Sequence, residues 1–196
     1  MSLRDDEEFL VNVLIIGATR GLGAHLSRLV LQDGHRVLGV GRKLNDTPPT
    51  GFEWLKCDLA NPSDLETLCA KTNEFQPHKI FYLAGGGPYG AYQKFQFKDH
   101  QWAWKVTFES AAFMAHLVLQ KMPSVQMVLC GSAIAEDQAD PGAAGYSAAK
   151  HALLGLYRSL RAENQNWDLR LFSPGYMDTD LLPRNARPRQ QTIWSP

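Results

Sequence analysis

Val11-Asn12-Val13-Leu14-Ile15-Ile16 runs straight into Gly17-Ala18-Thr19-Arg20-Gly21-Leu22-Gly23, and no other junction in the chain constrains the fold as much. The first run is continuous, apolar and rich in β-branched residues, as expected of a strand buried on both faces of a parallel sheet. Glycines at the first, fifth and seventh positions of the second allow a tight turn, close backbone approach to a pyrophosphate and close packing of helix on strand. The phosphates would then lie at a helix N-terminus. Glycines also mark ordinary turns, so it is the strand before and the helix after that give the loop its meaning.

The rest of the chain alternates strand and helix. A helix over about 21–31 stops at Gly34, and a second strand follows at 35–40. A proline-bearing loop over 45–51 leads to a third strand ending near Cys57, and Asn61-Pro62-Ser63 opens a helix. The fourth strand is read at 79–83, a long helix at about 101–121, the fifth strand at 125–129, a helix carrying Tyr146 and Lys150, and the sixth strand at 169–172. Strands separated by helices with right-handed crossovers give an α/β, doubly wound parallel sheet of about six strands with helices on both faces. No repeat or linker divides the chain, so 1–196 reads as one domain, with 176–196 as a short lid and tail. Ligands in such sheets bind beyond the C-terminal ends of the strands. Gly17, Asp58, Ala84, Ser132 and Pro174 all fall at or just after predicted strand ends, so one crevice would collect them.

Tyr146-Ser147-Ala148-Ala149-Lys150 puts a phenol and an ammonium four residues apart in a helical stretch, hence on one face. A tyrosine of ordinary pKa, about 10, is a weak acid at neutral pH. A nearby cation favours the tyrosinate, and the pair reads as a proton donor with its tuner. The plain alternative is a surface tyrosine and lysine, because the spacing is common by chance.

Together these motifs resemble the short-chain dehydrogenase/reductase family over about residues 10–180: the glycine loop with its three-residue then one-residue spacing, Ser132 in Val128-Leu129-Cys130-Gly131-Ser132-Ala133, the Tyr146 and Lys150 pair, and Ser173-Pro174-Gly175-Tyr176-Met177-Asp178-Thr179 after the sixth strand. The resemblance implies hydride exchange between a nicotinamide dinucleotide and a carbonyl or secondary alcohol. Ser132 would hydrogen-bond the substrate oxygen, Tyr146 would protonate it, and Lys150 would hold the nicotinamide ribose while lowering the tyrosine pKa. The cofactor-binding set it implies is Gly17, Thr19, Arg20, Gly21, Leu22, Gly23, Arg42, Asp58, Leu59, Ala84, Gly85, Gly86, Tyr146, Lys150, Pro174, Gly175, Met177 and Thr179.

A carboxylate at the end of the second strand would take the ribose diol of NAD and repel a 2′-phosphate. Here that strand ends Gly39-Val40-Gly41-Arg42-Lys43, without an acid. Arg42 offers a planar fork suited to phosphate, with Arg20 in reach of the same group, and the expectation is NADP(H) over NAD(H). The alternative is two solvated arginines. Asp58 would contact the adenine edge by resemblance, or cap a helix.

The chain departs from the family in three places. Tyr82-Leu83-Ala84-Gly85 keeps the small residues of the usual Asn-Asn-Ala-Gly but loses the amides, and Thr107 stands where the long helix usually bears a proton-relaying asparagine. A threonine hydroxyl can hold a water, so a lower rate is expected there. Relatives usually continue through a longer lid and a final strand, whereas 22 residues of the 196 follow Pro174. An open site or a different oligomer is expected, and the tail arginines Arg184, Arg187 and Arg189 would be solvated or would meet an anionic substrate or the cofactor phosphate.

The aromatics Tyr89, Tyr92, Phe95, Phe97, Trp102, Trp104 and Phe108 either line an apolar pocket or pack in the core and at a homodimer contact along the long helices. With 20 basic against 20 acidic residues there is no nucleic-acid footprint. No apolar run approaches a membrane span and the acidic start is unlike a signal peptide, so a cytoplasmic protein without a membrane partner is expected. Cys57, Cys69 and Cys130 read as reduced structural thiols, and the scattered histidines suggest no metal. A carbonyl reductase is the leading function. A non-catalytic NADP-binding sensor is the second, and an epimerase or dehydratase of the same superfamily the third.

Overall fold

A computed structural model describes residues 10–44, 50–136, 140–184, 186, 189 and 193–195. Six strands, β1 (Asn12–Ile16), β2 (Arg36–Gly41), β3 (Phe52–Lys56), β4 (Lys79–Tyr82), β5 (Gln126–Cys130) and β6 (Leu169–Phe172), form one parallel sheet in the order β3-β2-β1-β4-β5-β6. The strand order reverses between β1 and β4, which is where such sheets open a ligand crevice. The expected doubly wound fold is therefore observed, with each strand within about a residue of its expected end.

The alternation of β1 distributes its side chains to two layers. Leu14 and Ile16 join Leu38, Val40, Ile80, Met127 and Leu129 in the larger core, beneath Leu68 of α2 (Pro62–Phe75), Met114 and Val118 of α4 (Ser110–Lys121) and Leu153 of α5 (Ala144–Glu163). Val13, Ile15 and Val37 face the other way, against Leu26 and Val30 of α1 (Gly21–Gln32). All four β1 residues from Val13 to Ile16 are at most 2% exposed, as a strand covered on both faces requires. Asn61 caps α2 by accepting from the Ser63 N–H at 3.1 Å, with Pro62 in the first turn where its missing N–H costs nothing.

The long helix expected at 101–121 differs most. It begins earlier, as α3 (Phe97–Trp104), because Gln96 and Asp99 form a reciprocal capping box in which the Gln96 N–H donates to Asp99 at 3.0 Å. It then widens into a π turn over Lys105–Glu109 before continuing as α4. The widening frees backbone carbonyls, and buried hydroxyls take them up. Ser110 Oγ donates to the Lys105 carbonyl at 2.8 Å, while the Tyr82 hydroxyl reaches the Val106 carbonyl at 2.7 Å and Ser110 Oγ at 2.5 Å. Among the described residues no helix is long and apolar enough to cross a membrane.

Candidate functional site

A cleft of about 580 Å³ opens over the C-terminal ends of the strands. It is lined by residues from every segment that leaves the sheet on that side.

The glycine loop forms one wall. Gly17 has φ +94°, and a Cβ there would sit 2.8 Å from the Ala84 nitrogen, so the turn must be glycine to lie against the start of the β4 loop. A Cβ on Gly23 would fall 2.0 Å from the Gly17 carbonyl oxygen, which fixes how closely α1 can approach the end of β1. α1 begins at Arg20 without a side-chain cap, whereas α2 is capped by Asn61. Its first amides therefore form an open anion-accepting end in the cleft wall.

Across the cleft, α5 presents Tyr146 and Lys150. The Lys150 Nζ lies 5.3 Å from the centre of the Tyr146 ring, as the i, i+4 spacing demands. Lys150 is 2% exposed and donates to the Cys130 carbonyl at 2.6 Å, so its buried charge has a backbone acceptor. Ser132, just beyond β5, has extended backbone and accepts from the Ile134 N–H at 3.4 Å, and among the described residues no acceptor takes its own hydroxyl proton.

Of the residues singled out in the sequence, Gly17, Thr19, Arg20, Gly21, Leu22, Gly23, Arg42, Asp58, Leu59, Ala84, Gly85, Ser132, Tyr146, Lys150, Pro174, Gly175, Met177 and Thr179 all line this cleft. Gly86 does not. It is buried behind the wall, where its N–H donates to Thr107 Oγ1 at 3.1 Å and its carbonyl accepts from the same hydroxyl at 3.3 Å. Thr107 thus spends its proton on Gly86 and keeps one lone pair. The hydroxyl can still accept from a water, while its proton is engaged by the Gly86 carbonyl.

Asp58 serves local structure as well as the cleft. Its carboxylate accepts from the Ala60 N–H at 3.0 Å, while Asn61 is the cap of α2. Arg42 lies over Trp102 of α3, 5.3 Å from the ring centre, and neither Arg20 nor Arg42 enters an ion pair among the described residues. Cys57 beside them is held as a thiol. Burial, aided by Asp64 and Asp58, pushes it up to about 12. Arg189 follows neither expectation for the tail, because it turns back on its own segment to Asp178, at 2.5 Å, and to the Leu182 carbonyl at 2.7 Å. Arg184 is exposed, and Arg187 lies outside the described residues.

The sequence reading missed Asp140 and Tyr176, and it placed Tyr89 only in a mixed aromatic stretch. All three line the cleft. Each sits in an irregular segment, so no periodicity marks it; the available signal was proximity in sequence to the ends of β4 and β6 and to the start of α5.

Comparison with known proteins agrees with this geometry. The family model for short chain dehydrogenase matches residues 11–190. A 3beta-hydroxysteroid dehydrogenase of Mediterraneibacter gnavus is 25% identical over 199 residues, covering 93% of this chain and 71% of that protein. Across four of the curated relatives matched, the chain spans 60–71% of their length. Among solved structures, 4-hydroxyisoleucine dehydrogenase complexed with NADH and succinate superposes with a TM-score of 0.79 at 20% identity, covering 86% of this chain and 78% of that one. The closed form of serine dehydrogenase complexed with NADP+ gives 0.73 at 22% identity, covering 87% and 74%. The match runs from the first strand through the glycine loop to the segment beyond β6, and the chain therefore belongs to the short chain dehydrogenase family of NAD(P)-dependent oxidoreductases.

Proposed function

We propose that this protein is an NADP-dependent oxidoreductase acting on a carbonyl or secondary alcohol, with Tyr146 as its general acid and base. The observation that carries the reading is convergence: Ser132, from the end of β5, and Tyr146 and Lys150, from α5, line the same cleft as the glycine loop at the end of β1. When bound, the reduced dinucleotide supplies a hydride.

The residues fit such a group. The uncapped start of α1 offers amides to a pyrophosphate, and Arg20 and Arg42 are two cations without acid partners among the described residues. Arg42, already lying over Trp102, would meet the 2′-phosphate that distinguishes NADP. Gly17, Thr19, Gly21, Leu22 and Gly23 would hold the pyrophosphate side, Asp58 and Leu59 the adenine, and Ala84, Gly85, Pro174, Gly175, Met177 and Thr179 the nicotinamide half.

Negative charge develops on the carbonyl oxygen as its carbon is reduced. Ser132 would donate its free proton as a hydrogen bond to that oxygen, and Tyr146 would transfer a proton to it. The Lys150 ammonium, fixed by the Cys130 carbonyl, would favour the tyrosinate left behind. Residues 1–196 would act as one domain, with 176–196 as the lid. The exposed faces of α4 and α5, bearing Phe113, Ala148, Ala152 and Gly155, suit a homodimer contact. A cytoplasmic setting agrees with three free cysteines.

The test is NADPH oxidation against a panel of ketones, aldehydes and diketones, with a parallel cofactor titration. Tyr146→Phe is expected to lower kcat by about 10³-fold while NADPH still binds. NADPH binding without turnover of any panel member by the wild type would transfer the assignment to a cofactor-binding sensor.

A further inference from the structure

Three segments far apart in the chain close one end of the cleft around a single carboxylate. Tyr89, after β4, donates its hydroxyl proton to Asp140 Oδ1 at 3.3 Å, and Tyr176, after β6, donates to Asp140 Oδ2 at 3.0 Å. The backbone fixes each of them. The Gly90 N–H donates to the Gly142 carbonyl at 2.8 Å, the Ala143 N–H to the Asp140 carbonyl at 3.1 Å and the Trp194 N–H to the Tyr176 carbonyl at 2.9 Å. Burial, followed by the hydrogen bond and charge of Asp140, pushes the Tyr176 phenol up to about 12, and the Tyr146 phenol contributes to the same shift. Tyr176 therefore remains a proton donor throughout the physiological range, close to the proposed acid.

Two phenols anchor this carboxylate without neutralising it. A carboxylate has about four lone-pair sites, of which these bonds use two. No ion pair among the described residues includes Asp140. The Lys150 ammonium is committed to the Cys130 carbonyl, and Arg20 and Arg42 stand at the glycine loop and the end of β2. A half-buried charge that faces a cleft and has no counter-ion among the described residues is costly to keep. A cationic ligand would supply one.

We propose that Asp140, held by Tyr89 and Tyr176, is the recognition site for a protonated amine on the substrate, so that the chain acts on amino ketones and amino alcohols. The inference rests on the reductase reading above and gives it a substrate class. A protonated amine cancels the carboxylate's charge and donates to one of the two remaining lone-pair sites, or to both where it carries more than one N–H. An acidic substrate would instead meet like charge in a partly desolvated cleft.

The test compares ω-dimethylamino methyl ketones, with one to four methylenes between the two groups, against isosteres in which isopropyl replaces dimethylamino. With NADPH, the wild type is expected to favour the cationic member of the best pair by tenfold or more in kcat/KM, chiefly through KM. D140N keeps the shape and a hydrogen-bonding partner for each phenol, and is expected to abolish that ratio with little change in thermal midpoint. Absence of a cationic preference in the wild type, or its survival in D140N, overturns the proposal. So does a preference for a polyhydroxy ketone over both, since the carboxylate would then be accepting hydroxyl protons. If no ketone is turned over, calorimetric binding of the corresponding amino alcohols and their isosteres in the presence of NADP+ decides. An Asp140-dependent preference for the amine upholds the site while the reductase reading fails; equal binding overturns the site as well.

Discussion

The two ends of the cleft are built by opposite means. The dinucleotide end is made of backbone: Gly17 in a left-handed turn against the β4 loop, Gly23 pressed on the Gly17 carbonyl, and the bare start of α1, all within thirteen consecutive residues of 11–23. The other end is made of side chains, Tyr89, Asp140 and Tyr176, brought from three irregular segments. Backbone geometry imposed by sterics has little freedom to change without moving a strand or a helix. Side chains on irregular segments can be exchanged while the sheet stays intact. On the readings proposed above, one end would fix a reaction type and the other would choose the substrate.

The sharpest way to break this contrast is to add a methyl group where the backbone end has no room. Gly23→Ala places a Cβ at 2.0 Å from a carbonyl oxygen, and that contact is relieved only by moving α1 off β1. We expect a loss of about 3 kcal/mol in urea unfolding together with loss of measurable NADPH binding. The control is Gly155→Ala on α5, where an added Cβ meets nothing within 4 Å inside one copy of the chain, with both variants compared at a concentration where the protein is monomeric. There the helix should gain up to about 1 kcal/mol. Equal effects at the two positions would mean that the glycine loop owes its form to something other than steric exclusion.

A smaller effect is expected at Arg42, where the backbone end recruits a side chain. Arg42→Ala should raise the NADPH dissociation constant about tenfold, the worth of one charge-assisted bond to phosphate, and change NADH binding far less. Isothermal titration with both dinucleotides measures the ratio. An unchanged ratio would leave Arg42 as the partner of Trp102 alone, at 5.3 Å over its ring, and remove the physical basis for a preference between the two cofactors.

Legibility in the sequence follows the same division. β1, the glycine loop and α1 are contiguous and obey strict sterics, so the run from Val11 to Gly23 reads directly as structure. The Tyr146 and Lys150 pair is fixed by helical spacing, and the order of strands and helices by apolar periodicity. The π turn was hidden because its determinants lie apart: Tyr82 on β4 reaches the Val106 carbonyl, 24 residues on. Asp140 was hidden for a related reason. Its two partners are 51 and 36 residues away, and nothing local marks an aspartate that will be clamped by phenols. Asp58 shows the limit of a motif, since one carboxylate both braces the turn before α2 through the Ala60 N–H and lines the cleft. Contacts that depend on where loops return become visible only when the sheet has gathered them.

The smallest expected effect lies at the seam between the two ends. The π turn places Thr107 where its hydroxyl holds both polar groups of Gly86, and Ser110 sustains that turn through the Lys105 carbonyl and the Tyr82 hydroxyl. Ser110→Ala removes the donor to Lys105 and should cost about 1 kcal/mol. Asn61→Ala, at the cap of α2, should cost about the same. Their consequences differ, because Asn61 supports only a helix end, whereas Ser110 supports the turn that fixes Gly86 behind Gly85 and the cleft wall. Urea unfolding should therefore rank the two variants together, and NADPH titration should separate them, with binding weakened a fewfold in Ser110→Ala and unchanged in Asn61→Ala. If both titrate like the wild type, the π turn bears on stability alone, and the wall around Gly85 is held by the glycine loop without help from the helix that follows it.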